Sequence, residues 1–434
     1  MLADLRPPPL RRMAVSIMHD SLYRNSSFLV MNSVVTAALG FVFWAIASRL
    51  LPASAVGNVF VVVGAISFAG AAGALGLPNT VIRFLAAERD PVRFLRAAGV
   101  VVAGAGAAVG AAWYAVPRHF GVPLSISGPA WIGLPMIAAT VAIGALAAVA
   151  QAAIVAMRRC QWVIVENTAG SLAKLALLPF VVGLGATGLF GLYFLGLVVS
   201  TVVSIGILVR MLGSTGSSWR SRVELRALAG RTTYAAGTHV GALVAMLPTA
   251  GLPILVLERL GARQAAYFAM PLMIVALLNV IPSMASQSLF AEASADEDSL
   301  PAHVRRTVAG VYTVMIPAIV VLCVLARPIL SVFGPGYAAN GTACLQLLAL
   351  SGLFASFNYV ADAILVATKH VREYVFLNTT GTMCALGLPL AFMGRGLTGV
   401  GIGWLLGQLG YAMLAVGTLV YVRTRRPAFR AVAP

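Results

Sequence analysis

The chain is 434 residues long, 60% apolar and only 10% charged, against roughly 45–50% apolar and about 25% charged residues in ordinary soluble domains. This composition excludes a water-soluble globule, because 13 acidic and 30 basic residues are too few for the polar shell that a soluble core of this size needs. The exterior must face lipid. Four cysteines (Cys160, Cys323, Cys344 and Cys384) sit in or beside apolar stretches with no CxxC or Cys/His spacing, so neither a disulfide framework nor a metal site is expected. No cofactor motif is present, and the absence of a GxxxxGK[ST] sequence leaves ATP hydrolysis by this chain out of account.

A membrane-crossing helix needs about 20 mostly apolar residues. Twelve such spans are predicted, at 27–49, 57–77, 97–116, 129–156, 162–184 and 187–209, then at 233–257, 265–288, 307–333, 343–367, 374–393 and 399–422. Their lengths favour helices over barrel strands, which are about ten residues long and alternate in polarity. The expected fold class is an all-α polytopic membrane protein of about 12 spans.

With the N-terminus in the cytoplasm, the alternate loops on that side hold 23 of the 30 Lys and Arg residues, the opposite loops hold six, and Lys174 stays inside span 5. This is the positive-inside pattern. It explains the net charge of +17 through cytoplasmic loops and anionic lipid headgroups, so a nucleic-acid partner is not expected and both termini are assigned to the cytoplasm. Residues 1–25 form an N-terminal segment, where apolar positions from Leu10 to Met18 follow helical spacing beside Arg11 and Arg12; a short interfacial helix and a disordered tail are the two readings. The polar stretch 212–232 divides an N-terminal lobe (26–211) from a C-terminal lobe (233–422), and 423–434 is a basic tail. Six spans is an even number, so both lobes enter the membrane with the same orientation and a duplication would be a parallel repeat.

Ionisable residues at bilayer depth are costly and mark function by default. Span 5 carries Glu166 and Lys174, and span 10 carries Asp362. Asn167 and Lys174, seven residues apart, share a helix face, while Glu166 is turned about 80° away from Lys174. Ser351, Asn358 and Asp362 make a second polar stripe with Tyr359 beside it. Each has a plainer reading: Glu166 can reach the interface by snorkelling, Asp362 can bond neighbouring helices, and His239 in span 7 can be a hydrogen-bonded packing residue. Gly399, Gly403 and Gly407 form a flat strip for close helix contact.

Several segments together resemble the polysaccharide transporter (Wzx-like flippase) family of the multidrug/oligosaccharidyl-lipid/polysaccharide exporter (MOP) superfamily. They are Ala47-Ser48-Arg49-Leu50-Leu51-Pro52 leading to Gly57, Leu75-Gly76-Leu77 leading to Arg83-Phe84-Leu85, Ser288-Leu289-Phe290-Ala291-Glu292, the stretch from Pro328 to Ala338, and Gly396-Leu397-Thr398-Gly399-Val400-Gly401-Ile402-Gly403. The resemblance implies two six-helix lobes around a central cavity. It also implies outward movement of a polyprenyl-pyrophosphate-linked glycan across a bacterial plasma membrane, with glycan polymerases or glycosyltransferases as possible partners alongside membrane lipids. Arg49, Arg83 and Lys174 match that family's cationic cavity residues by position and charge, and Asn167, Asn358 and Tyr359 complete the substrate-binding candidates. Asp362, Glu166 and His239 are the ion-coupling candidates. Two alternatives are a MATE-like cation-coupled efflux antiporter and a non-transporting scaffold for glycan synthesis. The antiporter needs an exchanging acid, and residues 26–48 contain no Asp or Glu.

Overall fold

The structure is a computed structural model that describes residues 21–88, 90–119, 130–213, 228, 232–295 and 300–425. The proposed interfacial helix at the N-terminus, almost all of the 212–232 linker and the basic tail beyond Arg425 lie outside these residues. The described chain is helical, with short 3₁₀ segments and no strand among the described residues.

The first half contains α1 (Ser21–Leu50), α2 (Ala53–Gly73), α3 (Leu77–Phe84), α4 (Pro91–His119), α5 (Ala130–Ala156), α6 (Gln161–Leu177) and α7 (Gly185–Leu212). The second contains α8 (Thr232–Leu260), α9 (Ala262–Leu278), α10 (Val280–Ala295), α11 (Leu300–Val324), α12 (Ala326–Ser331), α13 (Pro335–Ala367), α14 (Val371–Phe392) and α15 (Gly396–Arg425).

Among the described residues ten stretches are long and apolar enough to cross a membrane, and two of them, Gln161–Leu212 and Val371–Val422, are 52 residues long. A straight helix of that length would extend about 78 Å, more than twice the hydrocarbon thickness of about 30 Å, so each must double back. The turns fall at Gly185 (φ 57°) and Gly396 (φ 68°), each after a 3₁₀ segment. A positive φ is where glycine is needed. The two halves of each stretch then pack on one another, α6 on α7 and α14 on α15, which yields the twelve expected spans. Pro135, Pro248, Pro253, Pro271, Pro317 and Pro389 lie within helices, whereas Pro179 opens the 3₁₀ segment before α7 and Pro282 lies in the first turn of α10.

The chain forms two compact units, the first holding the described residues of 1–44, 69–123 and 127–239 and the second those of 45–68 and 240–434. In the first, α5 lies between α3, α4 and α7, and Phe94, Ala98, Ala153, Ile154 and Val163 are buried in its core. In the second, α13 is central, with α9, α10, α11, α12 and α15 packed around it and Leu289, Val360, Leu365 and Leu377 among its buried side chains.

The Gly399, Gly403 and Gly407 strip seats α15 against α14. A Cβ on Gly403 would come within 2.5 Å of the Pro389 backbone, and one on Gly407 within 3.0 Å of the Cys384 carbonyl. Backbone atoms cannot yield as a flexible side chain does, and overpacking of this kind costs about 1–3 kcal/mol. Gly403→Leu is therefore expected to lower the unfolding temperature in detergent by several degrees. Gly387→Ala, within α14 at a position with open space around its Cβ, should not lower it, since alanine favours a helix interior over glycine.

Candidate functional site

In the first unit the polar residues of α6 point in two directions. The face shared by Asn167 and Lys174 turns toward α1: Asn167 donates from Nδ2 to Asn32 Oδ1 at 3.1 Å, and Lys174 Nζ lies 5.6 Å from the centroid of the Phe43 ring. The order of these pairs shows α1 and α6 running in the same direction, as two odd-numbered spans must. The Lys174 stem lies along α7 at Gly196, where a Cβ would fall 2.6 Å from the lysine Cγ and Cδ. Gly196 in turn faces Gly170, and these two glycines let α6 and α7 cross at backbone distance. Lys174 is half-buried and makes no ion pair with a carboxylate among the described residues. A cation over an aromatic face gains about 0.5–2 kcal/mol.

Glu166 is 1% exposed, which overturns the snorkelling alternative. Its carboxylate accepts from Gln151 Nε2 of α5 at 2.9 Å and from the Ser204 hydroxyl of α7. The reason is rotational: the angle that separates Glu166 from Lys174 on α6 directs it between α5 and α7, where two donors hold it. His239 is half-buried, with Nε2 3.2 Å from the Ala72 carbonyl oxygen. Arg83 is exposed near the end of α3, its guanidinium 5.5 Å from the Phe84 ring centroid.

Arg49, in the second unit, is engaged elsewhere. Its Nε donates to the Val332 carbonyl at 2.8 Å and its Nη2 to the Ser331 carbonyl at 2.5 Å. These carbonyls close α12, the Ser331 carbonyl also accepting from the Gly334 amide at 3.1 Å, and a guanidinium there counters the negative end of the helix dipole. Nearby in the same unit, a Cβ on Gly57 would overlap the Ala262 carbonyl oxygen, so α2 and α9 meet at their backbones.

Asn358, Tyr359 and Asp362 of α13 line one cavity of about 190 Å³ together with Asn378 and Thr382 of α14 and Gln408 and Tyr411 of α15. The Asp362 carboxylate accepts from Asn378 Nδ2 at 3.0 Å and from the Tyr411 hydroxyl at 3.1 and 3.2 Å. Asn358 donates from Nδ2 to Gln408 Oε1 at 3.0 Å. The Oδ1 atoms of Asn358 and Asn279, both cavity residues, are buried without a donor. The cavity thus presents a carboxylate and two amide oxygens without donors, the oxygen chemistry that hard cations take. Ser351, the third residue of the predicted stripe, bonds instead to the Leu348 carbonyl of its own helix.

Sequence reasoning missed the partners. Asn32, Gln151, Ser204, Asn378, Gln408 and Tyr411 are all polar residues inside apolar runs, a visible signal, yet which side chain each one serves depends on helix packing.

No protein-family model and no curated protein sequence matches the chain. Solved structures do. A multidrug resistance MATE family transporter of the MOP superfamily, in its inward-facing conformation, matches with a TM-score of 0.68 at 15% identity, over 92% of this chain and 96% of that one. The lipid II flippase MurJ in an inward closed conformation matches with a TM-score of 0.71 at 11% identity, over 90% and 87%. The chain has the fold of MOP-superfamily transporters. A MOP transporter from Pyrococcus furiosus, whose reversed binding-pocket polarity suggests a different function for that protein, also matches, with a TM-score of 0.56 at 14% identity over 95% of each chain. The MOP fold thus extends over nearly the whole length, and the protein is a multi-pass membrane protein of the all-helical class expected from its sequence.

Proposed function

We propose that the protein exports a lipid-linked oligosaccharide or polysaccharide precursor of the polyprenyl-pyrophosphate type across the bacterial plasma membrane by alternating access, for cell-surface glycan synthesis. The observation that carries this reading is Lys174: a half-buried ammonium in the last turn of α6, beside the Phe43 ring with its stem against Gly196, and with no acid of the described residues paired to it. Such a cation suits the phosphate of an anionic headgroup. The segments that resemble Wzx-like flippases support the same reading, as does the likeness in fold to a lipid II flippase. In this proposal the lobes read from the sequence, 26–211 and 233–422, are the moving parts, with 45–68 travelling with the second unit into which it packs; both termini are cytoplasmic by the 23-to-six distribution of basic residues, and glycan polymerases or glycosyltransferases work alongside.

A second reading, a MATE-type cation-coupled efflux antiporter, is favoured by the oxygen-lined cavity around Asp362. The same cavity serves a cation-coupled flippase equally well. A deletion strain separates the two. The flippase reading expects lipid-linked precursor to accumulate on the cytoplasmic leaflet, with restoration by the intact gene. Normal precursor distribution together with raised sensitivity to cationic drugs would replace it with efflux.

A further inference from the structure

Between α14 and α15 the second unit carries a groove of about 760 Å³. Its walls are the exposed side chains of Phe376, Met413 and Tyr421, and Cys384 lies at its far end. Gly410 and Gly417 line it, and a Cβ on either would meet open space. Thr418, the one hydroxyl-bearing aliphatic residue of the lining, bonds to the Leu414 carbonyl of its own helix, so the bed is apolar.

The groove's length selects its occupant. From Arg372 to Cys384 along α14, and from Gly410 to Tyr421 along α15, it runs about 17–18 Å at 1.5 Å per residue. One leaflet of hydrocarbon is half of about 30 Å, or about 15 Å deep. The trough therefore matches a chain that begins at the interface and ends near the midplane, which is a phospholipid acyl chain rather than a much longer polyprenyl tail.

The charges at the open end select the headgroup. Arg372 and Glu373 stand side by side in the first turn of α14 and both line the groove. Arg372 is exposed and makes no hydrogen bond or ion pair with another described residue. The preceding residue, His370, supplies no side-chain cap to the helix, so the N-terminal amides of α14 add to the attraction of a phosphate. Glu373 would repel a purely anionic lipid and attract an ammonium. Tyr421, with its apolar ring and polar tip, is at the same end, as interfacial aromatics are.

We propose that this groove holds one zwitterionic phospholipid with a primary ammonium, of the phosphoethanolamine class, its phosphate on Arg372 and the α14 N-terminus, its ammonium on Glu373 and an acyl chain between Phe376 and Met413. This lipid is separate from the transported substrate, and the proposal stands whichever cargo the protein carries.

The test is native mass spectrometry of the full-length protein, incubated with equal amounts of phosphatidylethanolamine, phosphatidylglycerol and phosphatidylcholine of matched chains, and with polyprenyl monophosphate. The expected result is one retained phosphatidylethanolamine, preferred at least about fivefold. Arg372→Ala and Glu373→Gln should each remove that preference, the second by admitting phosphatidylglycerol. Gly417→Leu should fill the trough and abolish retention with the unfolding temperature preserved. Should Gly417→Leu not fold, a photoreactive phosphatidylethanolamine on the unaltered protein gives the same answer, labelling peptides from 371–384 and 410–421. Retention indifferent to headgroup, preference for polyprenyl phosphate, or labelling confined to other spans would each overturn the proposal.

Discussion

Replacing Lys174 by alanine is expected to reduce precursor export by about thirtyfold or more while the protein still folds and inserts. The magnitude follows from the site. The sequence places Lys174 near the middle of span 5, whereas in the structure it stands in the last turn of α6; facing lipid, a lysine costs up to about 2.5–3.5 kcal/mol on the lenient insertion scale, the full figure applying at a helix centre. The Phe43 ring, 5.6 Å from Nζ, returns about 0.5–2 kcal/mol, and the remaining cost must be offset by an anion or by water. Removing one partner of a desolvated charge pair costs about 2–5 kcal/mol, which is the origin of the thirtyfold lower bound. If the partner is a headgroup phosphate, charge outweighs shape. Lys174→Arg should keep substantial transport, Lys174→Glu should abolish it, and Phe43→Leu should cost no more than a few fold. The packing adds a test that a bare charge argument lacks: Gly196→Leu would occupy the space of the lysine stem, so transport should fall although the ammonium is still encoded. Flipping assays in proteoliposomes, with unfolding temperature as the control, measure each variant. Full transport by Lys174→Ala would remove the headgroup role.

The second large effect is expected at Asp362. Its carboxylate is bound by Asn378 and Tyr411. An asparagine there can keep accepting from Asn378 and can donate to the tyrosine oxygen, so Asp362→Asn should fold normally and lose only the charge. If Asp362 couples a cation to export, the variant should transport without dependence on sodium or pH, or not at all. Asp362→Ala is a harsher change, since it leaves the Asn378 amide and the Tyr411 hydroxyl unpartnered, at about 1–3 kcal/mol for such a group. It should lower the unfolding temperature as well as activity. Transport by Asp362→Asn with unchanged ion dependence, measured across imposed sodium and proton gradients, would take Asp362 out of the coupling step.

Much of the architecture was legible before any helix was placed. Twelve apolar runs, each near the length of a bilayer crossing, determined the class, because in lipid a backbone has to satisfy its own hydrogen bonds within each span. The two 52-residue stretches show the limit of length alone, since it was Gly185 and Gly396 that marked where each one turned. The shared face of Asn167 and Lys174 and the grouping of Asn358 with Asp362 also followed from helical periodicity, which is a local property.

What those faces meet was decided by tertiary packing. Periodicity places Lys174 on one side of α6 but says nothing of Phe43, 131 positions earlier in the chain, nor of Gly196, which makes room for its stem. It separates Glu166 from that face without revealing that Gln151 and Ser204 converge on the acid from two other helices. The family resemblance offers Arg49 as a cavity cation by position and charge, whereas two carbonyls at the end of α12 hold its guanidinium. In every case the chain itself determined position along and around a helix, through the fixed rise and turn of the backbone. Which helices stand side by side, and so which charges are answered and which are left for a ligand, depended on where small residues let backbones meet.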